Sequence, residues 1–319
     1  MTTAFVFPGQ GSQTVGLGKA LAQAHASARR VFEEVDEALG ERLSALIWEG
    51  PSDRLTLTEN AQPALMAVSL AVMRVLESEA GLDLAREATF VAGHSLGEYA
   101  ALAAAGSLTL ADTARLLRVR GLAMQKAVPV GSGAMAALLG LERDAVEVVA
   151  AEAAQGEVCE LANDNGGGQV VVSGDRVAVE RAVEIAKGKG AKRALMLPVS
   201  APFHCALMRP AANAMAQALA AVALRRPALP LVANVTASAI VDPPEIAKLL
   251  VAQVTATVRW RESVAYMAAR GVTRFYEIGA GKVLTGLNRR IAEGASATAI
   301  GTPEDIDIFK ATRDSPCST

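Results

Sequence analysis

The sequence predicts an α/β protein whose large domain, built on a parallel sheet, is interrupted by a smaller unit. Three observations carry that prediction. Short apolar strands alternate with helical stretches through the first part of the chain, as a parallel sheet with helical crossovers requires. Between about Gly131 and Pro198 the rhythm changes to βαββαβ, the order of a ferredoxin-like unit. One strand breaks at Gly93-His94-Ser95-Leu96-Gly97 into an alanine-rich helix, the strand-turn-helix of a nucleophile elbow, and this makes the large domain α/β-hydrolase-like.

Taken in order, Ala4 to Phe7 reads as a strand that runs into the glycine-containing loop Pro8-Gly9-Gln10-Gly11-Ser12-Gln13. Gly18 to Leu39 and Gln62 to Ser78 read as helices, and Thr89 to Ala92 as the elbow strand. The inserted unit follows as strand Ala134 to Leu139, helix Arg143 to Ala154, strands Val158 to Ala162 and Gln169 to Ser173, helix Arg176 to Lys189 and strand Arg193 to Leu197. Pro129, Gly131 and Gly133 mark its entry, and Pro198 and Pro202 its exit. Helix Arg209 to Leu224, strand Leu231 to Asn234, helices Ile246 to Ala252 and Trp260 to Arg270, and strand Arg274 to Glu277 then restore the α/β pattern. The expected domains are 1–130 with 199–310, and 131–198, with a disordered tail over 311–319. A cleft between the two domains is the default place for a substrate.

Composition agrees with an enzyme-like globular chain. With 51% hydrophobic but only 4% aromatic residues, the core must be built mainly from Ala, Val and Leu, which suits buried helices and parallel strands. A net charge of −2 gives no global attraction to nucleic acid or anionic membrane, and neither is an expected partner. Cys159, Cys205 and Cys317 are odd in number and lack C-x-x-C spacing, so neither a disulfide framework nor a zinc site is indicated. The N-terminus lacks the pattern of a signal peptide, and a cytoplasmic monomer without a metal or redox cofactor is expected.

The chemistry starts at Ser95. Gly93 and Gly97 flank it because so sharp a turn leaves no room for Cβ atoms, and the Leu96 N–H lies at a helix N-terminus where donors are unpaired. A serine hydroxyl needs a base, usually histidine, and the chain has three. His94 points away from the neighbouring hydroxyl and reads as a buried prop; His25 sits on a polar helical stretch and reads as a solvated surface residue. That leaves His204, in an irregular loop just after the inserted unit. The loop around Gln10, at the carboxyl end of the first strand, is either a tight turn or the source of a second oxyanion-hole N–H beside that of Leu96. Arg120 stands in a basic cluster with Arg115 and Arg118 and, by spacing alone, reads as a surface charge. The segment Glu277-Ile278-Gly279-Ala280-Gly281-Lys282-Val283 lacks P-loop spacing and reads as a structural glycine turn, and Gly166 to Gly168 as a connection between two strands.

Taken together, G-Q-G-S-Q near the start, G-H-S-L-G-E-Y around residue 95, V-R-G-L-A-M-Q around Arg120, P-F-H-C-A-L-M around residue 204 and E-I-G-A-G-K-V-L-T-G at 277–286 resemble the malonyl-CoA:acyl carrier protein transacylases, over about residues 4–302. The resemblance implies an acyltransferase of fatty acid synthesis. Ser95 would take malonyl from malonyl-CoA, and the phosphopantetheine thiol of acyl carrier protein would remove it, with His204 as base and acid. It also implies that a carbonyl oxygen at Gln253 orients His204, that Arg120 holds the malonyl carboxylate through its planar fork, and that Phe203 limits the substituent at the acyl C2. Lys187, Lys189, Lys192, Arg193, Arg289 and Arg290 are candidates for docking an acidic carrier protein. Gly166-Gly167 departs from the family's more usual Ser-Pro. The alternatives are a serine hydrolase sharing the elbow and a non-catalytic acyl-binding protein.

Overall fold

The structure is a computed structural model that describes residues 2–314. It is a mixed α/β chain with two sheets. The larger has the order β10-β9-β1-β2-β7-β8 and the smaller β4-β5-β3-β6. The strands are β1 (Thr2–Phe7), β2 (Phe90–Gly93), β3 (Gly133–Leu139), β4 (Cys159–Asp164), β5 (Gln169–Asp175), β6 (Arg193–Met196), β7 (Leu231–Ala233), β8 (Ser238–Ile240), β9 (Val272–Ile278) and β10 (Ser296–Ile300). Every pairing in the larger sheet is parallel except β7 with β8. The smaller sheet is antiparallel throughout.

Side-chain alternation explains why β1 is apolar throughout Ala4 to Phe7. On β1, Phe5 and Phe7 join the core on one face of the sheet, and Ala4 and Val6 join the core on the other. The smaller sheet is covered on both faces as well. Ala134, Ala136 and Leu138 of β3 pack with Val146, Val149 and Val179 of the unit's own helices, and Met135 and Ala137 turn into the core of the larger unit. The β3 run Ala134 to Leu138 therefore lies buried between two layers.

Several expected elements shift. The helix expected over Gly18 to Leu39 is two helices, Lys19–Ala24 and Ala26–Leu39, because His25 is extended (φ −126°, ψ 118°). The expected tail is helical at its start, within the helix Pro303–Asp314, and residues 315–319 lie outside the described residues. The helix from Arg209 stops at Ala220, four residues before its expected end at Leu224. The helix Leu43–Glu49 and the strands β8 and β10 were not expected. Among the described residues, no helix is long and apolar enough to cross a membrane.

Candidate active site

Ser95 occupies the tip of the turn between β2 and the helix Gly97–Ala104, at φ +54°. A left-handed backbone costs a non-glycine residue about 1–2 kcal/mol, so the surrounding structure must hold it there. The flanking glycines supply space. A Cβ on Gly93 would lie 1.9 Å from the carbonyl carbon of Gly97, and one on Gly97 would lie 2.2 Å from the oxygen of Phe7. No side chain fits at either position, as the elbow reading required.

His204 meets the serine from the loop after β6. Its Nδ1 lies 2.8 Å from the backbone oxygen of Gln253. A carbonyl oxygen only accepts, so Nδ1 carries the proton and Nε2 is the acceptor. The Ser95 hydroxyl, 2.8 Å from Nε2, therefore donates to it. Burial, with the Arg120 charge as a second cause, pushes the imidazole down to about 3, so it is neutral at physiological pH and free to take a proton. His204 too has a positive φ, +60°.

Arg120 is not the surface charge that spacing suggested. The guanidinium is 1% exposed, whereas Arg118 turns outward to Asn60 and Glu41, and Arg115 to the carbonyl of Ala38. The helix Leu110–Lys126 buries Ala114, Leu117, Gly121 and Met124, and Arg120 lies on that inward stripe. Its two terminal nitrogens donate to Gln62 Oε1 (2.8 Å), Gln253 Oε1 (2.8 Å) and Ser95 Oγ (3.1 Å). Its partners here are neutral oxygens, and burial lowers its pKa below the ordinary arginine range. A desolvated guanidinium beside a serine hydroxyl has a strong electrostatic preference for an anionic group.

Gln253 joins these parts. Its backbone carbonyl orients His204, its Oε1 accepts from Arg120, and its Nε2 donates to the Ser95 carbonyl (2.9 Å) and to the carboxylate of Glu98. Glu98 is 1% exposed, and burial raises its carboxyl to about 7. Sequence reasoning missed Glu98 and Gln62. Glu98 was visible as a charged residue inside an otherwise apolar helical stretch, where an unpaired polar group would be costly, whereas Gln62 follows Glu59 and Asn60 and carried no such mark.

These groups open into a cavity of about 700 Å³ that Ser95, His204 and Arg120 share with Gln10, Leu96 and Phe203. Met135 of β3 and Leu197 beyond β6 form part of its wall, so the cavity lies in the cleft between the two sheets. His94 crosses that cleft. Its Nε2 donates to Asn165 Oδ1 (2.9 Å), which makes it a tie between the two units instead of a prop confined to the elbow. His25 lies outside the site and is not freely solvated: its ring is 2.7 Å from Glu79 and only 11% exposed.

The glycine turn after β9 holds no open anion site. The Glu277 carboxylate accepts from the N–H groups of Leu284 (3.0 Å) and Thr285 (2.6 Å), so the following helix N-terminus already has its anion. Gly166, Gly167 and Gly168 have φ of +74°, +60° and +69° and connect β4 to β5, a run of left-handed backbone that suits glycine.

Comparison with known proteins gives consistent matches. The acyl transferase domain family model matches residues 4–308. Malonyl CoA-acyl carrier protein transacylase of Escherichia coli K12 is 47% identical over 300 residues, 94% of this chain and 96% of that protein. The crystal structure of acyl-carrier-protein S-malonyltransferase from Bartonella henselae has 58% identity and a TM-score of 0.95, covering 98% of this chain and 99% of that one. A malonyl-transacylase solved in complex with a type II PKS acyl-carrier protein has 41% identity and a TM-score of 0.94, covering 98% and 100%.

Proposed function

The chain belongs to the malonyl-CoA:acyl carrier protein transacylases of the acyl transferase family, and from that premise we propose how its side chains move malonyl from coenzyme A to the carrier-protein thiol. His204 Nε2 takes the Ser95 proton as Oγ adds to the thioester carbonyl. The N–H groups of Leu96 and Gln10 receive the oxyanion. As the tetrahedral species collapses, the C–S bond breaks and the coenzyme A sulfur takes the proton back from Nε2, leaving malonyl on Ser95. The phosphopantetheine thiol of acyl carrier protein then gives its proton to Nε2 and attacks the ester, and Ser95 leaves with that proton. A carbonyl orienter at Gln253, in place of a carboxylate, suffices because a thiolate leaves more readily than an amine.

The observation that carries the malonyl assignment is the buried Arg120 guanidinium 3.1 Å from the nucleophile. Its fork suits the malonyl carboxylate, and Phe203 beside His204 narrows the space at the acyl C2, which disfavours methylmalonyl. Losing one partner of such a desolvated pair costs about 2–5 kcal/mol. Arg120→Ala is therefore expected to lose malonyl transfer far more than acetyl transfer, measured as kcat/KM for the two thioesters. Equal losses would refute the assignment.

We read the fold as an α/β-hydrolase-like domain, 1–130 with 199–310, carrying a ferredoxin-like insertion at 131–198. Fatty acid synthesis is the pathway we assign. For the carrier protein, the candidate cations differ in what they already do. Lys187 and Lys189 pair with Glu184 and Glu152. Lys192 packs near Gly140, whose N–H bonds Gly168, and Arg290 lies beside Gly167. Arg289 donates to the carbonyl of Ala297 (2.6 Å), whereas Lys192, Arg193 and Arg290 form no ion pair among the described residues and are the better candidates for docking an acidic partner.

A further inference from the structure

We infer that Asn234 is a positioning residue for the nucleophile: its side-chain amide stands in for a missing rung of the sheet and holds Ser95 at the elbow tip. It rests on the reading of Ser95 as the acylated residue. In the parallel pair β2–β7, Val91 stands opposite Leu231 and Ala92 opposite Val232. Carried two residues further, that register places Asn234 opposite His94. A parallel ladder would then require the backbone of residue 234 to donate to the carbonyl of Gly93 and to accept from the N–H of Ser95.

The backbone does neither. At Asn234 the chain has left the sheet, and its N–H donates to Glu98 Oε1 (3.3 Å) while its C=O accepts from the N–H of Arg259 (3.1 Å). The side chain makes both ladder bonds instead. Nδ2 donates to Gly93 O (2.7 Å), and Oδ1 accepts from Ser95 N–H (2.8 Å). Asn234 is 0% exposed, so solvent cannot replace these bonds. A primary amide carries a donor and an acceptor on one short stem, as a peptide unit does. Leucine or alanine supplies neither, and an ionised aspartate supplies only the acceptor. Because the Ser95 N–H is taken by Asn234, it is also withheld from the oxyanion, which leaves that task to Leu96 and Gln10.

The role predicts a loss in turnover without a matching loss in binding, since the Asn234 side chain bonds the elbow backbone and the Gln253 amide (3.3 Å) and does not line the cavity. Asn234→Ala is expected to lower kcat on the order of 100-fold, the effect of a small misplacement of a reacting group, with KM for malonyl-CoA within about threefold. A folded Asn234→Ala protein with wild-type kcat, or one whose loss lies in KM, overturns the proposal. Asn234→Asp gives a second reading if the alanine variant does not fold. A protonated carboxyl offers an O–H to Gly93 and a C=O to Ser95, and so mimics the amide; the ionised form cannot donate. The charged or titratable groups around the position are Glu98, Arg259 and, through Gln253, Arg120 and His204. Burial beside Glu98 favours the protonated form. The turnover of Asn234→Asp should therefore fall as pH rises, relative to wild type, and recover as pH is lowered. A pH profile parallel to wild type overturns the proposal. Malonyl labelling of wild-type Ser95, measured by intact mass, tests the reading it rests on separately.

Discussion

Burial moves the two titratable groups around Gln253 in opposite directions. His204 falls from the ordinary 6.5 to about 3, so between those values the unfolded chain binds the extra proton and stability rises with pH. Glu98 rises from 4.5 to about 7, so across that window the folded chain binds the extra proton and stability falls as pH rises. The two contributions oppose each other between 4.5 and 6.5. In His204→Gln the Glu98 contribution stands alone, and stability relative to wild type should decline as pH rises through that range. In Glu98→Gln it should decline as pH falls, each limb by up to about 1.4 kcal/mol per pH unit. Denaturant unfolding across the range checks this, and parallel curves for the three proteins would contradict it. Ser95 and His204 were legible in the sequence because their chemistry imposes local constraints: a glycine-flanked turn for one, elimination among three histidines for the other. Arg120 was not legible from spacing, since which face of a helix turns inward depends on packing partners far along the chain. Gln253 was reached only through resemblance, because a backbone carbonyl leaves no mark on residue type.

At the scale of elements, glycine is used in two different ways. Gly93 and Gly97 are held by close backbone approach, and Gly93→Ala is expected to cost about 3 kcal/mol or more and to abolish turnover. Gly286, on the exposed face of the helix Val283–Ile291, has nothing within 4 Å of an added Cβ. Gly286→Ala should therefore stabilise the protein by about 0.5–1 kcal/mol with activity intact. Thermal or denaturant unfolding of both variants reads the contrast, and similar effects at the two positions would contradict it. The βαββαβ unit was legible nearly strand for strand, because its helices are amphipathic and its turns carry glycine and proline. The break at His25 was not, since the stretch around it has good helix formers on both sides and the Glu79 that pairs with the imidazole lies on another helix. The strands β8 and β10 are short, three and five residues, and only their sheet neighbours distinguish them from loops.

At the scale of the whole molecule, the larger sheet delivers its site groups from the carboxyl ends of neighbouring parallel strands. The Gln10 loop follows β1, Ser95 follows β2 and Asn234 follows β7. The smaller sheet closes the other wall of the cleft, tied across it by His94 to Asn165 and by Arg261 to Asp164. A cleft walled on both sides suits the proposed transfer, in which an acyl-serine would have to outlast its encounter with water until a thiol arrives. Intact-mass measurement on the chain exposed to malonyl-CoA, and then to carrier protein bearing the phosphopantetheine thiol, tests that central claim most directly. The expected result is one added malonyl group on the wild type, none on Ser95→Ala, and its transfer to the carrier protein when the thiol is supplied. Labelling of Ser95→Ala, or rapid release of free malonate with no acceptor present, would contradict it.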